Sequence, residues 1–179
     1  MPTKTGPALA RSLDTELLRR ALGQYATGVT VVTALAGDTP IGMTANSFTS
    51  VSLAPPLILW CVAKTAASHD LFVAAPHFAV HVLGARHGDL ALAFAGKRGE
   101  KFAGVDWQPG VAGVPVLREV APIFECRTWA RYPGGDHTII VGEVLELMTR
   151  PGDPLLFHSG ELRGLSPARK RVSKTPRGA

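Results

Sequence analysis

The sequence predicts a mainly β protein of the α+β class: a closed or nearly closed, antiparallel, Greek-key-like barrel with short flanking helices. Several short runs rich in β-branched and aromatic residues are separated by glycine and proline turns. The helical patterns between these runs are few and short. Because strands and helices do not alternate regularly, a doubly wound parallel sheet is not expected.

One domain accounts for most of the chain. A length of 179 residues, with 46% hydrophobic and 18% charged residues, suits a single globular domain. We expect this domain at residues 12–165, a flexible N-terminal segment at 1–11 and a disordered basic tail at 166–179. Segment 1–11 lacks the apolar centre of a secretory signal. No run approaches the roughly 18 apolar residues of a membrane span, so no membrane association is expected.

The positive charge of the chain is concentrated at its end. The tail carries five of the 19 Lys and Arg residues and no acid, which leaves 14 basic residues against 14 acidic residues in the body. A neutral body has no electrostatic footprint for nucleic acid, so no nucleic-acid partner is expected. The two cysteines, Cys61 and Cys126, lie far apart in apolar runs, which is typical of a reduced cytoplasmic protein.

The first helix is predicted from a capping residue, and the first strands are predicted from a change in the spacing of apolar residues. Ser12, followed by acids, predicts the N-cap of a helix that ends near Gly23. The β-branched run 29–36 then predicts a strand. It turns at Gly37 and Asp38 into a second strand at 41–46.

Residues 42–62 are unusually rich in short polar side chains and then become wholly apolar. Two readings of this stretch stay open: a ligand-binding segment mounted on a buried strand at 57–63, or a solvated loop between two strands. Its hydroxyl and amide groups belong to Thr44, Asn46, Ser47, Thr49, Ser50 and Ser52.

The rest of the body continues with short elements. Turn residues bound most of them, and glycines interrupt a long connection at 97–114. The further strands are predicted at 78–83, 123–131, 138–148 and 155–158, with a turn at 132–136, and the short helices at 68–74 and 88–95.

Several common sites are excluded. The chain has neither the glycine fingerprint of a Rossmann fold nor a P-loop. It also lacks the nucleophile elbow of a serine hydrolase. His77 and His81 fall in one predicted strand, where four residues span about 13 Å, too far for one metal ion. No metal site is therefore expected.

His137 follows two glycines and Asp136 at the start of a predicted strand. Glycines allow a tight turn and an aspartate can close it, so the imidazole should lie at the mouth of the strand. The alternatives are a ligand-contacting histidine and an exposed histidine on a capped hairpin.

Six short motifs, in order, resemble those of the short-chain flavin reductases, the NAD(P)H:flavin oxidoreductase components of two-component monooxygenases. The resemblance covers about residues 15–163. The motifs are YATGVT at 25–30, GMTANSF at 42–48, SVSLAPP at 50–56, FAGKRGEKF at 94–102, EC at 125–126 and GDHTIIVGEV at 135–144. Members often have a tyrosine near the end of the body, where this chain has Phe157, His158 and Leu162.

The resemblance implies a split β-barrel that binds FMN or FAD, usually as a homodimer. It implies hydride transfer from NADH or NADPH to the flavin, and delivery of reduced flavin to a separate monooxygenase. His137 would approach the nicotinamide nucleotide. The residues implied to contact the flavin are Thr44, Ala45, Asn46, Ser47, Ser50, Val51, Ser52, Cys61, Val62, Ala63, Lys64, Ser68, Lys101 and Phe102.

Two other functions remain open on the residues. A barrel of this type could bind flavin or haem without turning over a nicotinamide. It could also be a self-contained flavin oxidase that acts on its own organic substrate and forms peroxide without NADH.

Overall fold

The structure, a computed structural model, describes residues 13–96 and 100–165. Three α-helices lie beside a set of β-strands. The helices are α1, Thr15–Gly23; α2, His69–Ala74; and α3, Gly88–Ala95. The strands are β1, Thr27–Gly28; β2, Thr30–Ala36; β3, Thr39–Ala45; β4, Thr49–Leu53; β5, Pro56–Ala63; β6, His77–Val82; β7, Trp107–Pro109; β8, Pro115–Leu117; β9, Ile123–Gly134; β10, His137–Met148; β11, Leu155–His158; and β12, Glu161–Gly164. No helix among the described residues is long and apolar enough to cross a membrane.

The main sheet is antiparallel and has the strand order β3-β2-β6-β9-β10-β5-β4. Its two edge strands, β3 and β4, are consecutive in the chain and are joined by residues 46–48 alone. The Ser47 hydroxyl in this connection accepts from Cys61 N at 2.9 Å and donates to Cys61 O at 3.2 Å, so it extends the edge of β5 beyond β4. The sheet therefore curls until its edges meet, and we call residues 46–48 with Cys61 the seam.

The main core fills the inside of this curled sheet. Alternate residues of β5, namely Ile58, Trp60 and Val62, point inward and are almost fully buried. The ring of Trp60 makes edge-on contacts with Phe72 of α2 and Phe78 of β6, with centroid separations of 5.1 and 6.0 Å. Helix α2 thus closes one end of the core by inserting a single aromatic side chain.

A buried histidine joins three strands. His81 of β6 is fully buried, its Nδ1 lies 3.0 Å from the Val31 carbonyl, and its Nε2 accepts from Leu117 N at 3.1 Å. These partners fix the neutral tautomer with the proton on Nδ1. Burial lowers the pKa of His81 to about 4, although the hydrogen bond to Val31 works in the opposite direction. This histidine is structural.

The predicted elements are confirmed where the hydrophobic period is strong. Both short helices, the helix ending at Gly23 and all the predicted strands are present, with shifts of at most a few residues. Strand β9 continues to Gly134 and β10 begins at His137, so the turn predicted at 132–136 consists of Gly135 and Asp136 alone. Helix α1 is capped by Asp14, whose carboxylate accepts from Glu16 N and Leu17 N. The proposed cap Ser12, the segment 1–11 and the tail 166–179 lie outside the described residues.

Five short strands do not appear among the predictions, the first of them β1 at Thr27–Gly28. The polar stretch contains β4, the connection 97–114 contains β7 and a 3₁₀ turn at Val111–Gly113, and β8 and β12 follow. Of the connection, residues 97–99 lie outside the described part of the chain. The 3₁₀ turn is held by Glu125, whose carboxylate accepts from Val111 N at 2.5 Å.

Candidate functional site

A cavity of about 1060 Å³ opens beside β3. Its walls come from three separate parts of the chain: strand β3, the segment between β5 and α2, and the end of α3 with the residues after it. The lining residues are Thr39, Pro40, Ile41, Gly42, Met43, Thr44, Ala63, Thr65, Ala66, Ala67, Ser68, Leu71, Phe94, Ala95, Gly96, Glu100, Lys101, Phe102 and Ala103. This volume is at the upper end of the range of cofactor sites.

The wall of the cavity depends on a close approach of Phe94 to the backbone of β3. A Cβ atom at Gly42 would overlap the ring of Phe94, with Cδ1 at 2.7 Å. The ring of Phe94 is fully buried and packs edge-on against Phe102, with centroids 5.2 Å apart. Glycine at position 42 therefore allows two aromatic rings to form one wall of the cavity.

Lys101 holds the same wall together. Its Nζ donates to the carbonyl oxygens of Gly42 at 3.1 Å and Phe94 at 2.9 Å. Burial lowers the pKa of Lys101. An ammonium group has three N–H donors, and two of them are used by these carbonyls within the described residues. The third donor and the positive charge can serve an anionic or carbonyl group in the cavity.

Residues 44–47, which we call the TANS segment, lie between the large cavity and the seam. The Thr44 hydroxyl donates to Ala91 O at 2.6 Å and so fastens β3 to α3. Ala45 is nearly buried, Asn46 is exposed, and Ser47 is bound to the backbone of Cys61 as described above. Only Thr44 of these four lines the large cavity. Thr44, Ala45 and Asn46 also line a smaller apolar cavity of about 360 Å³, with Phe157 and Leu162 across it.

Residues 50–52, which we call the SVS segment, lie on the edge strand β4, outside the large cavity. Ser50 and Val51 are exposed, and the Ser52 hydroxyl accepts from Ala54 N at 3.2 Å. The register of β4 on β5 shifts between Ser50 and Ser52, which places an irregularity at Val51. Contact between these residues and a flavin remains a prediction.

The end of β5 places its residues in different environments. Val62 is fully buried in the core, whereas Cys61 and Ala63 are partly exposed. Burial raises the pKa of the Cys61 thiol, against a hydrogen bond from Ser47. Lys64 folds onto the β9–β10 turn: its amide N lies 2.9 Å from Asp136 O, and its Nζ donates to Gly135 O at 2.6 Å.

His137 lies beside the cavity and does not line it. It is the cross-strand partner of Ala63, which does line the cavity. The imidazole side chain is 43% exposed and its Nδ1 lies 2.7 Å from the Asp136 carboxylate. The hydrogen bond from His137 lowers the pKa of Asp136. The Asp136 carboxylate therefore orients the imidazole of His137 through Nδ1. The other ring nitrogen, Nε2, faces away from Asp136, as contact with a ligand requires.

Only some of the residues that the sequence predicts to contact a flavin line the large cavity. The cavity brings together Thr44, Ala63, Ser68, Lys101 and Phe102, which are up to 58 positions apart in the chain. Sequence reasoning missed the residues of segment 65–67, together with Leu71 and Phe94. No local signal identifies them, because their importance comes only from the folded arrangement. Among residues 13–96 and 100–165, no group of three or more His, Cys, Asp or Glu side chains could hold a metal ion.

Comparisons with known proteins agree on one family. The family model described as "Flavin reductase like domain" matches residues 22–166. "FMN reductase (NADH) SmoA" of Agrobacterium fabrum is 52% identical over 142 residues, which are 79% of this chain and 81% of that protein. The "Flavin-dependent monooxygenase, reductase subunit HsaB" of Mycobacterium tuberculosis is 35% identical, over 89% of this chain and 87% of that protein.

A solved structure agrees as well. The Streptomyces globisporus NADH:FAD oxidoreductase SgcE6, in complex with NAD and FAD fragments, superposes with a TM-score of 0.83 at 45% sequence identity. The match covers 88% of this chain and 96% of that one. The split-barrel architecture expected from the sequence motifs is confirmed. Neither the non-catalytic binding protein nor the self-contained oxidase is supported by these comparisons.

Proposed function

Because the chain belongs to the flavin reductase-like domain family, we propose that it is an NADH-dependent flavin reductase that uses FMN or FAD. Two relatives named above are NADH-dependent reductases of FMN and of FAD. The observation that carries the proposal is the large cavity, which gathers five of the residues predicted to contact a flavin, from distant parts of the chain, around one apolar and aromatic wall.

The residues that line the cavity fit a flavin. A flavin is a large aromatic ring system with carbonyl oxygens and an anionic phosphate, so it needs an apolar slot, neutral donors and a positive charge. The rings of Phe94 and Phe102 supply apolar surface, Thr65 and Ser68 supply hydroxyl donors, and Lys101 supplies the charge with its free N–H. Since Lys101 is fixed by two backbone carbonyls, its charge is held in place before a ligand binds.

A flavin held by Phe94, Phe102 and Lys101 would supply the acceptor for a hydride from NADH, which would leave as NAD⁺. The protein's task is therefore to hold two rings face to face and to exclude water. We assign the orientation of the nicotinamide nucleotide to His137, whose ring is held by Asp136 next to the cavity wall at Ala63. The Asn46 amide and backbone N–H groups of residues 44–47 would contact the edge of the flavin, because the Thr44 and Ser47 hydroxyls donate to the protein's own backbone.

The proposal is tested by measuring NADH oxidation with purified protein. Adding FMN, FAD or riboflavin should accelerate the loss of NADH absorbance far above the rate in buffer, and the same assay with NADPH should give a lower rate. A rate equal to the buffer rate with all three flavins and both nicotinamides would overturn the proposed function.

We also propose that the reduced flavin is consumed by a separate monooxygenase. Support comes from the name of the HsaB relative, a reductase subunit of such an enzyme. Coupled assays with a flavin-dependent oxygenase that lacks its own reductase test this step. Substrate hydroxylation should require this protein, NADH and catalytic flavin together.

A second copy of this chain is the proposed partner in solution. The outer face of the main sheet is apolar along two adjacent strands, where Leu59 pairs with Val141 and Cys61 with Ile139 on the side opposite to Trp60 and Ile140. Of these four residues, Val141 is buried and the other three are partly exposed. An apolar sheet face of this kind is typical of a homodimer interface. His137 lies at the end of the same strand, so a dimer formed through this face would bring the second copy next to the site.

The proposed compartment is the cytoplasm. Cys61 and Cys126 are both free thiols, and Cys126 is buried in the core. Reduced cysteines are the usual state in the cytoplasm, where NADH is also available.

A further inference from the structure

Helix α2 begins with His69, a histidine that does not line the large cavity. The side chain of His69 is only 15% exposed, and its Nε2 lies 2.9 Å from the Thr138 hydroxyl. Its Nδ1 lies 2.7 Å from the carboxylate of Asp70, which is 97% exposed. An ionised carboxylate only accepts hydrogen bonds, so the neutral ring carries its proton on Nδ1 and Nε2 accepts from Thr138. Both nitrogens of His69 are therefore used within the protein.

The hydrogen bond between His69 and Thr138 connects two parts of the site. His69 directly follows segment 63–68, which forms one wall of the large cavity, and Thr138 directly follows His137. At its other end, the segment is bound through Lys64 to the carbonyl oxygens of Gly135 and Asp136. The cavity wall is thus tied at both ends to the few residues that present His137.

We propose that the His69–Thr138 pair positions His137 relative to the cavity wall, and so controls the use of NADH without controlling flavin affinity. The inference rests on the proposed function. Without this hydrogen bond, the Lys64 contacts still hold the start of segment 63–68, but its end can move relative to the strand that carries His137. A shift of this kind misaligns the nicotinamide and the flavin, and hydride transfer is sensitive to displacements well below the size of either ring.

The chain provides a matched control. Thr128 of β9 donates to Ala75 O at 2.9 Å and fastens the other end of α2 to the sheet. Replacing Thr128 by valine removes a threonine-hydroxyl hydrogen bond between the same helix and the same sheet, while Arg131 Nη2 still donates to Ala75 O at 2.9 Å. The Thr128 bond has no connection to His137. A merely structural role would make the two replacements equivalent.

The experiment compares Thr138→Val, Thr138→Ser and Thr128→Val with the wild type. We expect Thr138→Val to lower kcat/KM for NADH about tenfold and to leave the flavin Kd within about twofold, as measured by fluorescence titration. Thr138→Ser, which keeps the hydroxyl, should restore most of the activity. Thr128→Val should keep kcat/KM for NADH within about twofold of the wild type, even if it lowers the melting temperature as much as Thr138→Val does.

The results that would contradict this inference differ from the result that would contradict the proposed function. Equal losses of kcat/KM in Thr138→Val and Thr128→Val, a loss confined to flavin affinity, or no loss at all would overturn this inference alone. An inactive wild type would overturn the proposed function, and this inference with it.

If Thr138→Val does not fold, the same contrast is made at His69. The side chain in His69→Gln reaches as far as Nε2 and keeps the contact with Thr138, whereas His69→Asn reaches only as far as Nδ1 and loses it. A higher kcat/KM for NADH in His69→Gln than in His69→Asn, at equal flavin affinity, is expected. Equal values of kcat/KM would overturn the inference.

Discussion

Glycine 42 is required by the ring that packs against it. In Gly42→Ala, the added Cβ would overlap the buried ring of Phe94, so the ring would have to shift. Overpacking of this kind destabilises a protein by about 1–3 kcal/mol. Because the Gly42 carbonyl also accepts from Lys101, we expect weaker flavin binding as well as a lower melting temperature.

Thermal unfolding and flavin titration check this prediction, with Gly152→Ala as the control. A Cβ at Gly152 would meet nothing within 4 Å, so this variant should behave like the wild type. Equal melting temperatures and equal flavin affinities for the two variants would contradict the steric argument.

His137 is expected to serve the nicotinamide more than the flavin. His137→Ala should raise KM for NADH about tenfold, the size expected for losing one hydrogen bond to a charged or polar partner, and should change flavin Kd by less than about twofold. Steady-state kinetics with varied NADH and a separate flavin titration distinguish the two effects. An unchanged KM for NADH together with lost flavin affinity would refute the assignment.

At the residue scale, the sequence identified candidates through motifs more than through physical pattern. Lys101 and Phe102 belong to one of the short motifs that resemble a known family, Ser68 follows from the same resemblance by position, and all three line the cavity. Phe94 also lies in one of these motifs, but its role as a wall depends on its distance from Gly42, and no local pattern reports that distance. The hydroxyls of Thr44 and Ser47, expected to face a ligand, donate to backbone carbonyls of the protein itself.

Between elements, the seam depends on one hydroxyl. Ser47→Ala removes two hydrogen bonds to the backbone of Cys61, on the edge of β5 opposite to its pairing with β10. We expect a loss of about 1–2 kcal/mol in the free energy of unfolding and faster hydrogen exchange at the Cys61 amide. Ser50→Ala, on the exposed part of β4, is the control. Unchanged exchange at Cys61 in Ser47→Ala would contradict the role given to the seam.

His81 should make the contact between β2, β6 and β8 sensitive to acid. Its folded-state pKa of about 4 lies below the ordinary value of 6.5, so the unfolded chain takes up a proton first as pH falls. The stabilisation by neutral His81 is complete above the ordinary pKa. It is lost progressively as pH falls to about 4, at a cost of about 3 kcal/mol.

Denaturant unfolding at several pH values checks this expectation. His81→Asn, which does not titrate, should lose less stability between neutral pH and pH about 4 than the wild type does. Parallel pH profiles for the two proteins would show that the acid sensitivity comes from other groups.

At the scale of elements, prediction succeeded where one face of a strand or helix is buried. Strand β5 shows this clearly, since its inward residues alternate with partly exposed ones. Strand β4 was taken as a polar segment because nearly all of its residues are exposed at the edge of the sheet. Strand β8 has only three residues, all buried, and is placed by a long-range hydrogen bond in which Leu117 N donates to His81 Nε2. A pattern confined to neighbouring residues cannot report such contacts.

For the whole molecule, the outer face of the sheet predicts a dimer that one charge can break. Ile139→Lys places an ammonium group among Cys61, Leu59 and Val141 on that face, where it would be desolvated in an interface. Sedimentation should give a dimer for the wild type and a monomer for the variant. Leu165→Lys, at a site that is 56% exposed, is the control and should remain dimeric. A monomeric wild type at micromolar concentration would contradict the proposal.

The seam has a consequence for the order of events during folding. Strands β3 and β4 are neighbours in the chain, yet the sheet that runs from one to the other is continuous only when β5 has paired with β10, whose residues lie about 80 positions further along. The TANS residues that bridge the two edges therefore reach their final positions late, after the long-range pairing is complete. Closing the barrel and completing the flavin site are then one step. A newly synthesised chain acquires flavin affinity when this closure occurs, and not with the earlier formation of its hairpins.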